Sequence, residues 1–427
     1  MNRTELHMAL RTLPFLDARR ELGDRAVELS ADPPKLLVWH PEAIDWIFRH
    51  DRELSHPGSR SLRPLFGDDS LLWADGPRHE AYREVLGPPL RGRRLTGYHG
   101  LIAGAVHEAV DALRPGTVVS LADWTRRLTL RIVGRLVLGR VDDAVLDAFS
   151  AWIDRALGSR SRTLAHRFLR GGLPRSGPDL DAALVRCARD GADSDSRGAG
   201  RDPARDTGCP ATLASLMLDA DGPLADLGDG ELRDQIVSLL FAGHETTASA
   251  AAWTLYRLDH DAALRRDVTD ELADVPDDVP APARTPLLDA VIQEALRLAP
   301  PVTVAENRTL PQDTDLLGRT LPAGTTLTTS IYLAHRQPDA FPDPLRFDPS
   351  RFLGRRPAPR HYLPFGGGTR RCLGAQLGLL EIRMIAAALL RRRDWHCVNP
   401  RAGVLRLRGH AMAPSARLRM KVTGRRE

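Results

Sequence analysis

The chain has 427 residues, of which 42% are hydrophobic and 27% charged, so it can bury a large core and is too apolar to be wholly disordered. Its net charge of +5 comes from arginine, since Lys35 and Lys421 are the only lysines. Aromatics are only 5% and no basic stripe carries interleaved aromatic residues, which disfavours nucleic acid and leaves a solvated arginine-rich surface, with an acidic protein partner as the sharper alternative.

In chain order, Met1 to Leu16 carries Arg3, Glu5, His7 and Arg11 among its apolar residues and holds no apolar run of signal-peptide length. Helical periodicity predicts helices over Leu128–Leu138 and Asp142–Leu157. The polar stretch from Gly191 to Gly208, rich in Gly, Asp, Arg and Ser, is expected to be a mobile loop. A long helix follows over Leu232–Leu258. Its most apolar stretch, Ile236 to Ala242, soon meets His244 and Glu245, so no membrane span is expected. After the proline-rich connection Pro276–Pro286, Thr285 is expected to cap a helix over Leu287–Leu298, which Pro300 and Pro301 stop. Leu316–Ala334 reads as a strand pair around the turn Leu321-Pro322-Ala323-Gly324, and Leu373–Leu390 as a further helix. The expectation is one mainly α domain with small β-sheets over residues 1–427. Cys187, Cys209, Cys372 and Cys397 lack paired CxxC spacing, which fits a reducing cytoplasm.

Phe365-Gly366-Gly367-Gly368-Thr369-Arg370-Arg371-Cys372-Leu373-Gly374 sets a cysteine among glycines at a predicted helix start. A helix N-terminus stabilises a thiolate, and glycines let backbone wrap closely around sulfur. A lone cysteine here could equally be a buried structural residue. The whole ten-residue pattern resembles the haem-binding signature of the cytochrome P450 family. The resemblance implies the P450 fold, with haem b between the long central helix and the helix after the cysteine loop. It implies Cys372 as the axial iron ligand, whose electron donation favours O–O cleavage, with Phe365 and Gly366 in the cradle. Cys187, Cys209 and Cys397 match no motif and are read as incidental.

Ala242-Gly243-His244-Glu245-Thr246-Thr247 places an acid beside an alcohol in apolar surroundings. One plain reading has Thr246 bonding back to a carbonyl a turn earlier while Glu245 pairs with an arginine. A helical HExxH zinc site fails because Ala248 stands where the second histidine is needed. The segment also resembles the family's acid-alcohol pair. That implies catalytic roles in dioxygen activation for Thr246 and in proton relay for Glu245, with Gly243 permitting a local widening of the helix.

Glu294 and Arg297 lie three apart on a predicted helix and can pair, a weak pattern that Glu80 and Arg83 also satisfy. By resemblance, Glu294, Arg297 and Arg351, from Phe347-Asp348-Pro349-Ser350-Arg351-Phe352, form a structural triad. His79 and Arg83 of Asp75–Arg83, together with Arg308 and Arg370, are candidates for the two haem propionates, which arginine suits through its planar fork. His335-Arg336-Gln337-Pro338 departs from the family's asparagine-arginine-aspartate-proline run, which puts local bonding there in question.

The segments Ser59–Leu72, Leu239–Gly243, Val302–Ala305 and the stretch near His410–Met412 are expected to meet substrate. The candidates are Leu62, Leu65, Phe66, Leu239, Leu240, Val302, Thr303, Val304 and Met412, with Arg63, Thr303 or His410 available to fix one polar group. The leading expectation is a haem-thiolate monooxygenase that hydroxylates or epoxidises a mainly apolar small molecule, with dioxygen as co-substrate, in bacterial secondary metabolism. Oxidative cyclisation, desaturation or coupling on the same fold is the alternative, and a non-catalytic haem sensor or carrier the reading from a different class. No flavin or iron–sulfur segment is evident, so a separate ferredoxin and ferredoxin reductase are expected to supply electrons to a monomer, docking near Arg355, Arg356, Arg370, Arg371 and Arg391.

Overall fold

The computed structural model describes residues 3–21, 25–58, 62–159, 161, 163, 165–166, 172–199, 210–276, 283–408 and 411–426. Its axis is a central helix, Asp229–His260, buried on several faces through residues such as Leu232, Ile236, Leu240, Ala251 and Leu255. A helix apolar all round must be enclosed by other elements. Here Leu121–Leu138 packs along one side, with Pro286–Leu298 and Ala375–Arg392 on others.

Each predicted helix is present with shifted ends. The first begins at Leu121, because Ser120 Oγ accepts from the Asp123 N–H at 3.2 Å and starts the helix earlier than apolar spacing alone indicates. Asp142 caps Asp143–Leu157 through the Ala144 N–H at 2.9 Å. The expected Thr285 cap is corrected. Thr285 occupies the N-cap position without a side-chain cap bond, and Glu271 from the neighbouring helix instead accepts from the Leu287 and Leu288 N–H groups at 2.7 and 3.0 Å. Residues 191–199 are also not a loop, since they continue the helix Pro178–Ala199, with Gly191 packed close to the Leu138 carbonyl. Residues 200–208 and Cys209 lie outside the described residues.

The strand pair expected around Pro322 is divided differently. Leu317 and Gly318, at φ 57° and 70°, turn a short hairpin between Thr314–Leu316 and Arg319–Leu321. Thr326–Thr329 instead runs parallel to Pro34–Val38 and antiparallel to Arg308–Thr309 in a sheet completed by Ala26–Ala31. Ile331–Ala334 is a short helix capped by Ser330. No described helix is long and apolar enough to cross a membrane.

Glu294 and Arg297 are each 0% exposed. The Arg297 Nε and Nη2 donate to the two Glu294 oxygens at 2.6 and 2.7 Å, while its remaining bonds go to the carbonyls of His335, Pro344 and Arg346. Arg351 is the looser member, with Nε 3.6 Å from Glu294 and Nη2 donating to the Asp343 carbonyl. The departing His335 is absorbed locally, since its Nε2 accepts from the Leu363 N–H at 2.9 Å. Arg297→Leu strands a buried carboxylate and is expected to cost about 3–5 kcal/mol, read as a lowered denaturation midpoint. An unchanged midpoint would mean that the pair is peripheral to stability.

Candidate active site

A cavity of about 720 Å³ lies between the central helix and the cysteine loop, within the size range of ligand pockets. Cys372 and Thr246 both line it. The helix after the cysteine starts at Ala375 rather than Leu373, so Cys372 sits in the turn leading into it. The Cys372 N–H donates to the Phe365 carbonyl at 2.9 Å, closing the loop into a cradle. Gly366 and Gly368 take φ of 66° and 67°, which a side chain would disfavour. Burial pushes the Cys372 thiol up, against the Gly374 backbone N–H and the charges of Arg83 and Arg371, which pull it down.

On the central helix, Ser238, Leu239, Ala242, Gly243, Thr246 and Ala250 face the cavity, at the spacing of one helical face. Leu240 falls on another face and is buried away from the cavity, so its expected place in the pocket is corrected. Leu65 and Met412 are corrected likewise. Both are 0% exposed in the core, and the Met412 carbonyl accepts from Ser249 and Trp253. Leu62, Phe66, Leu239, Val302, Thr303 and Val304 do line the cavity, whereas His410 lies outside the described residues. Sequence reasoning missed Trp73, Phe241 and Leu407 in the wall, since their apolar character marks them only as core.

The acid-alcohol segment fulfils its plain reading in geometry. Thr246 Oγ1 donates to the Ala242 carbonyl at 2.7 Å while its side chain borders the cavity. Glu245 points elsewhere, accepting from Arg126 Nε and Nη2 at 2.9 and 2.6 Å. Arg126 also donates to Asp154 at 2.8 Å, and Arg408 donates to Asp154 at 2.6 Å. Burial opposes the Arg126 charge, but Glu245 and Asp154 more than offset it and hold its pKa above the ordinary arginine value. No sequence pattern marked Arg126 or Asp154. The helix stays α-helical through residues 242–247, so the expected widening is absent. Gly243 instead admits Val133, whose Cγ2 would stand 2.7 Å from an added Cβ.

His79 and Arg83 from one helix, Arg308 from a strand and Arg370 from the cysteine loop are brought to the same cavity, from three segments of the chain. Arg370 is 5% exposed. Its Nη2 donates to Asp75 at 2.7 Å, but its buried Nε and Nη1 have no partner. Arg308 is anchored by Asp51 at 2.6 Å, and Arg83 makes no ion pair among the described residues. Burial, then the charges of Arg370 and Arg83, push the His79 imidazole down to about 4, so it is neutral at pH 7. A thiol on the floor of the cavity and spare arginine donors along its edge fit an iron porphyrin with two carboxylates. Among the described residues no cluster of His, Cys, Asp or Glu offers an alternative metal site.

The fold and site together define a haem-thiolate protein, and the comparisons agree: the family description "Cytochrome P450" matches residues 31–419. The chain belongs to the cytochrome P450 family and is a P450 monooxygenase, with haem b as the family's cofactor and dioxygen as its co-substrate. It is 33% identical over 398 residues to "Putative cytochrome P450 135B1" of Mycobacterium tuberculosis, covering 90% of this chain and 81% of that one. It is 31% identical to "Cyclooctat-9-en-7-ol 5-monooxygenase" of Streptomyces melanosporofaciens, covering 90% and 84%. Among solved structures, retinoic acid-bound cyanobacterial CYP120A1 superposes with a TM-score of 0.76 at 25% identity over 96% of this chain and 93% of that one. The P450DA heme domain, at 23% identity, shares the fold with a TM-score of 0.80 over 100% and 96%.

Cys372→Ser is expected to abolish the far red-shifted Soret band of the reduced, carbon monoxide-treated protein while leaving the helical circular dichroism intact. Survival of that band would assign the ligand elsewhere.

Proposed function

We propose that this chain holds haem b through Cys372, with His79, Arg83, Arg308 and Arg370 on the propionates, and hydroxylates or epoxidises a mainly apolar small molecule of bacterial secondary metabolism. The observation that carries this reading is that Cys372 and Thr246 border one largely apolar cavity. Bound haem supplies the redox chemistry of dioxygen cleavage. The chain's residues supply position, dryness and protons. Leu62, Phe66, Leu239, Val302 and Val304 exclude water around the substrate, and Thr303 is the polar group best placed to orient it.

Thr246 gives its hydroxyl hydrogen to the Ala242 carbonyl and so keeps its lone pairs available on the cavity side. Glu245 serves as the proton carrier by exchanging its bond to Arg126 for one to water, with Asp154 retaining the guanidinium meanwhile. The monooxygenase from Streptomyces named above acts, by its name, on cyclooctat-9-en-7-ol, which supports a mainly apolar small molecule as substrate.

Electrons come from a separate ferredoxin and its reductase in the cytoplasm, reaching a monomer at a basic surface. Arg355, Arg356 and Arg371 are exposed and suit that role. Arg370 does not, being buried and paired with Asp75. Arg391 is engaged with the carbonyls of Leu272, Val275 and Pro276.

Thr246→Ala is expected to retain haem and the carbon monoxide band while diverting most reducing equivalents to peroxide. The measurement is product formed and peroxide released per reductant consumed. Fully coupled turnover would overturn the role given to Thr246.

A further inference from the structure

Arg308 and Arg370 reach the cavity from distant parts of the chain, and each has a carboxylate behind it. Arg308 Nε donates to Asp51 at 2.6 Å, and Arg370 Nη2 donates to Asp75 at 2.7 Å. His56 lies between the two acids, with Nε2 3.3 Å from Asp51 Oδ1 and Nδ1 3.1 Å from Asp75 Oδ1. Its backbone N–H also donates to Asp75 Oδ2 at 3.1 Å, and its side chain is only 3% exposed. We infer that His56 is a positioning residue that joins the two propionate arginines into one hydrogen-bonded chain, Arg308–Asp51–His56–Asp75–Arg370, and so sets how firmly the acidic edge of haem is held. This rests on the haem-thiolate reading above.

Three features support the bridge. Both ring nitrogens face carboxylate oxygens, which accept hydrogen bonds, so the imidazole is placed to link the two acids. The bridge also has a rigid backbone mount, because Ser55 pairs with Thr309 through bonds of 3.2 and 2.9 Å next to Arg308. Finally, Asp51 extends the chain into the cysteine loop. Its Oδ2 accepts from the Thr369 N–H at 2.7 Å and from the Thr369 hydroxyl at 2.6 Å, three residues before Cys372. The other charged or titratable groups that feel His56 electrostatically are His79 and Glu306, both on the cavity wall.

With His56 in place, the two acids have a donor besides Thr369 and the arginines, and so draw less on the guanidinium groups. That leaves the Arg370 Nε and Nη1, which have no partner among the described residues, available to a propionate. Removing His56 lets both carboxylates compete with the propionates for the guanidinium groups.

The test is transfer of haem from the holoprotein to excess apomyoglobin, in wild type, His56→Gln, Asp75→Asn and the double variant. Each single substitution is expected to speed haem loss about tenfold, as for loss of a charge-assisted hydrogen bond. The double variant should exceed the faster single by no more than about twofold, because both changes break one bridge. The midpoint potential of the haem should rise in Asp75→Asn, where a negative charge near the acidic edge is lost, a change that a packing defect alone would not produce. Unchanged haem loss in either single variant, fully multiplicative effects, or a potential that does not rise in Asp75→Asn would overturn the bridge. Should His56→Gln fail to fold, Asp75→Asn, whose side chain is half exposed, decides the matter by its haem loss and its midpoint potential. If wild type binds haem without a thiolate carbon monoxide band, the haem-thiolate reading fails first; a normal band with unchanged haem loss defeats only the bridge.

Discussion

A sulfur atom has to be presented at the floor of an apolar cavity by a loop with little regular structure of its own, and much of this molecule serves that constraint. The loop cannot hold itself. Its Phe365 carbonyl takes the Cys372 N–H, two of its glycines take φ values that other residues disfavour, and its middle is tied by Asp51 through Thr369. Burial raises the Asp51 carboxyl, yet His56, Arg308 and Thr369 together hold it well below the usual carboxylate range. It therefore remains an anion at neutral pH, and the loop keeps its anchor. Below the loop, Glu294 and Arg297 fix the Pro286–Leu298 helix to the segment around Pro344, Arg346 and Asp348.

The central helix divides its work by face. Leu239, Ala242, Gly243, Thr246 and Ala250 present a small, mostly apolar surface to the cavity, while Glu245 turns to Arg126. Adjacent residues on a helix point about 100° apart, so an acid and an alcohol next to each other in sequence serve different compartments. The alcohol belongs to the cavity. The acid belongs to a charged layer shared with Asp154 and Arg408, which leads away from it.

The cysteine loop was legible because its chemistry needs several particular residues at fixed spacing, and periodicity gave the long helices. Pairing between distant segments was not legible. Asp51, His56, Arg126 and Asp154 carry no local pattern, since each is defined by a partner far away in sequence, such as Asp51 with Arg308. Helix caps failed in the same way when the cap came from elsewhere, as Glu271 does for Leu287 and Leu288. Among the expected pocket residues, Leu62 and Val302 line the cavity, whereas Leu65, Leu240 and Met412 are buried in the core. An apolar residue looks the same in sequence whether it meets a ligand or the core, and only its position on the folded surface separates the two. The strand pairing around Pro322 erred because two turn signals competed, and the chain uses Leu317-Gly318 for its local hairpin.

The central claim, that the Cys372 thiolate binds haem iron, is tested most directly by the absorption spectrum of the purified holoprotein, reduced and exposed to carbon monoxide. A far red-shifted Soret band, characteristic of thiolate-bound haem, is the predicted result. A band at the position given by histidine-ligated haem, or no haem band in a folded protein expressed with ample haem, would contradict it.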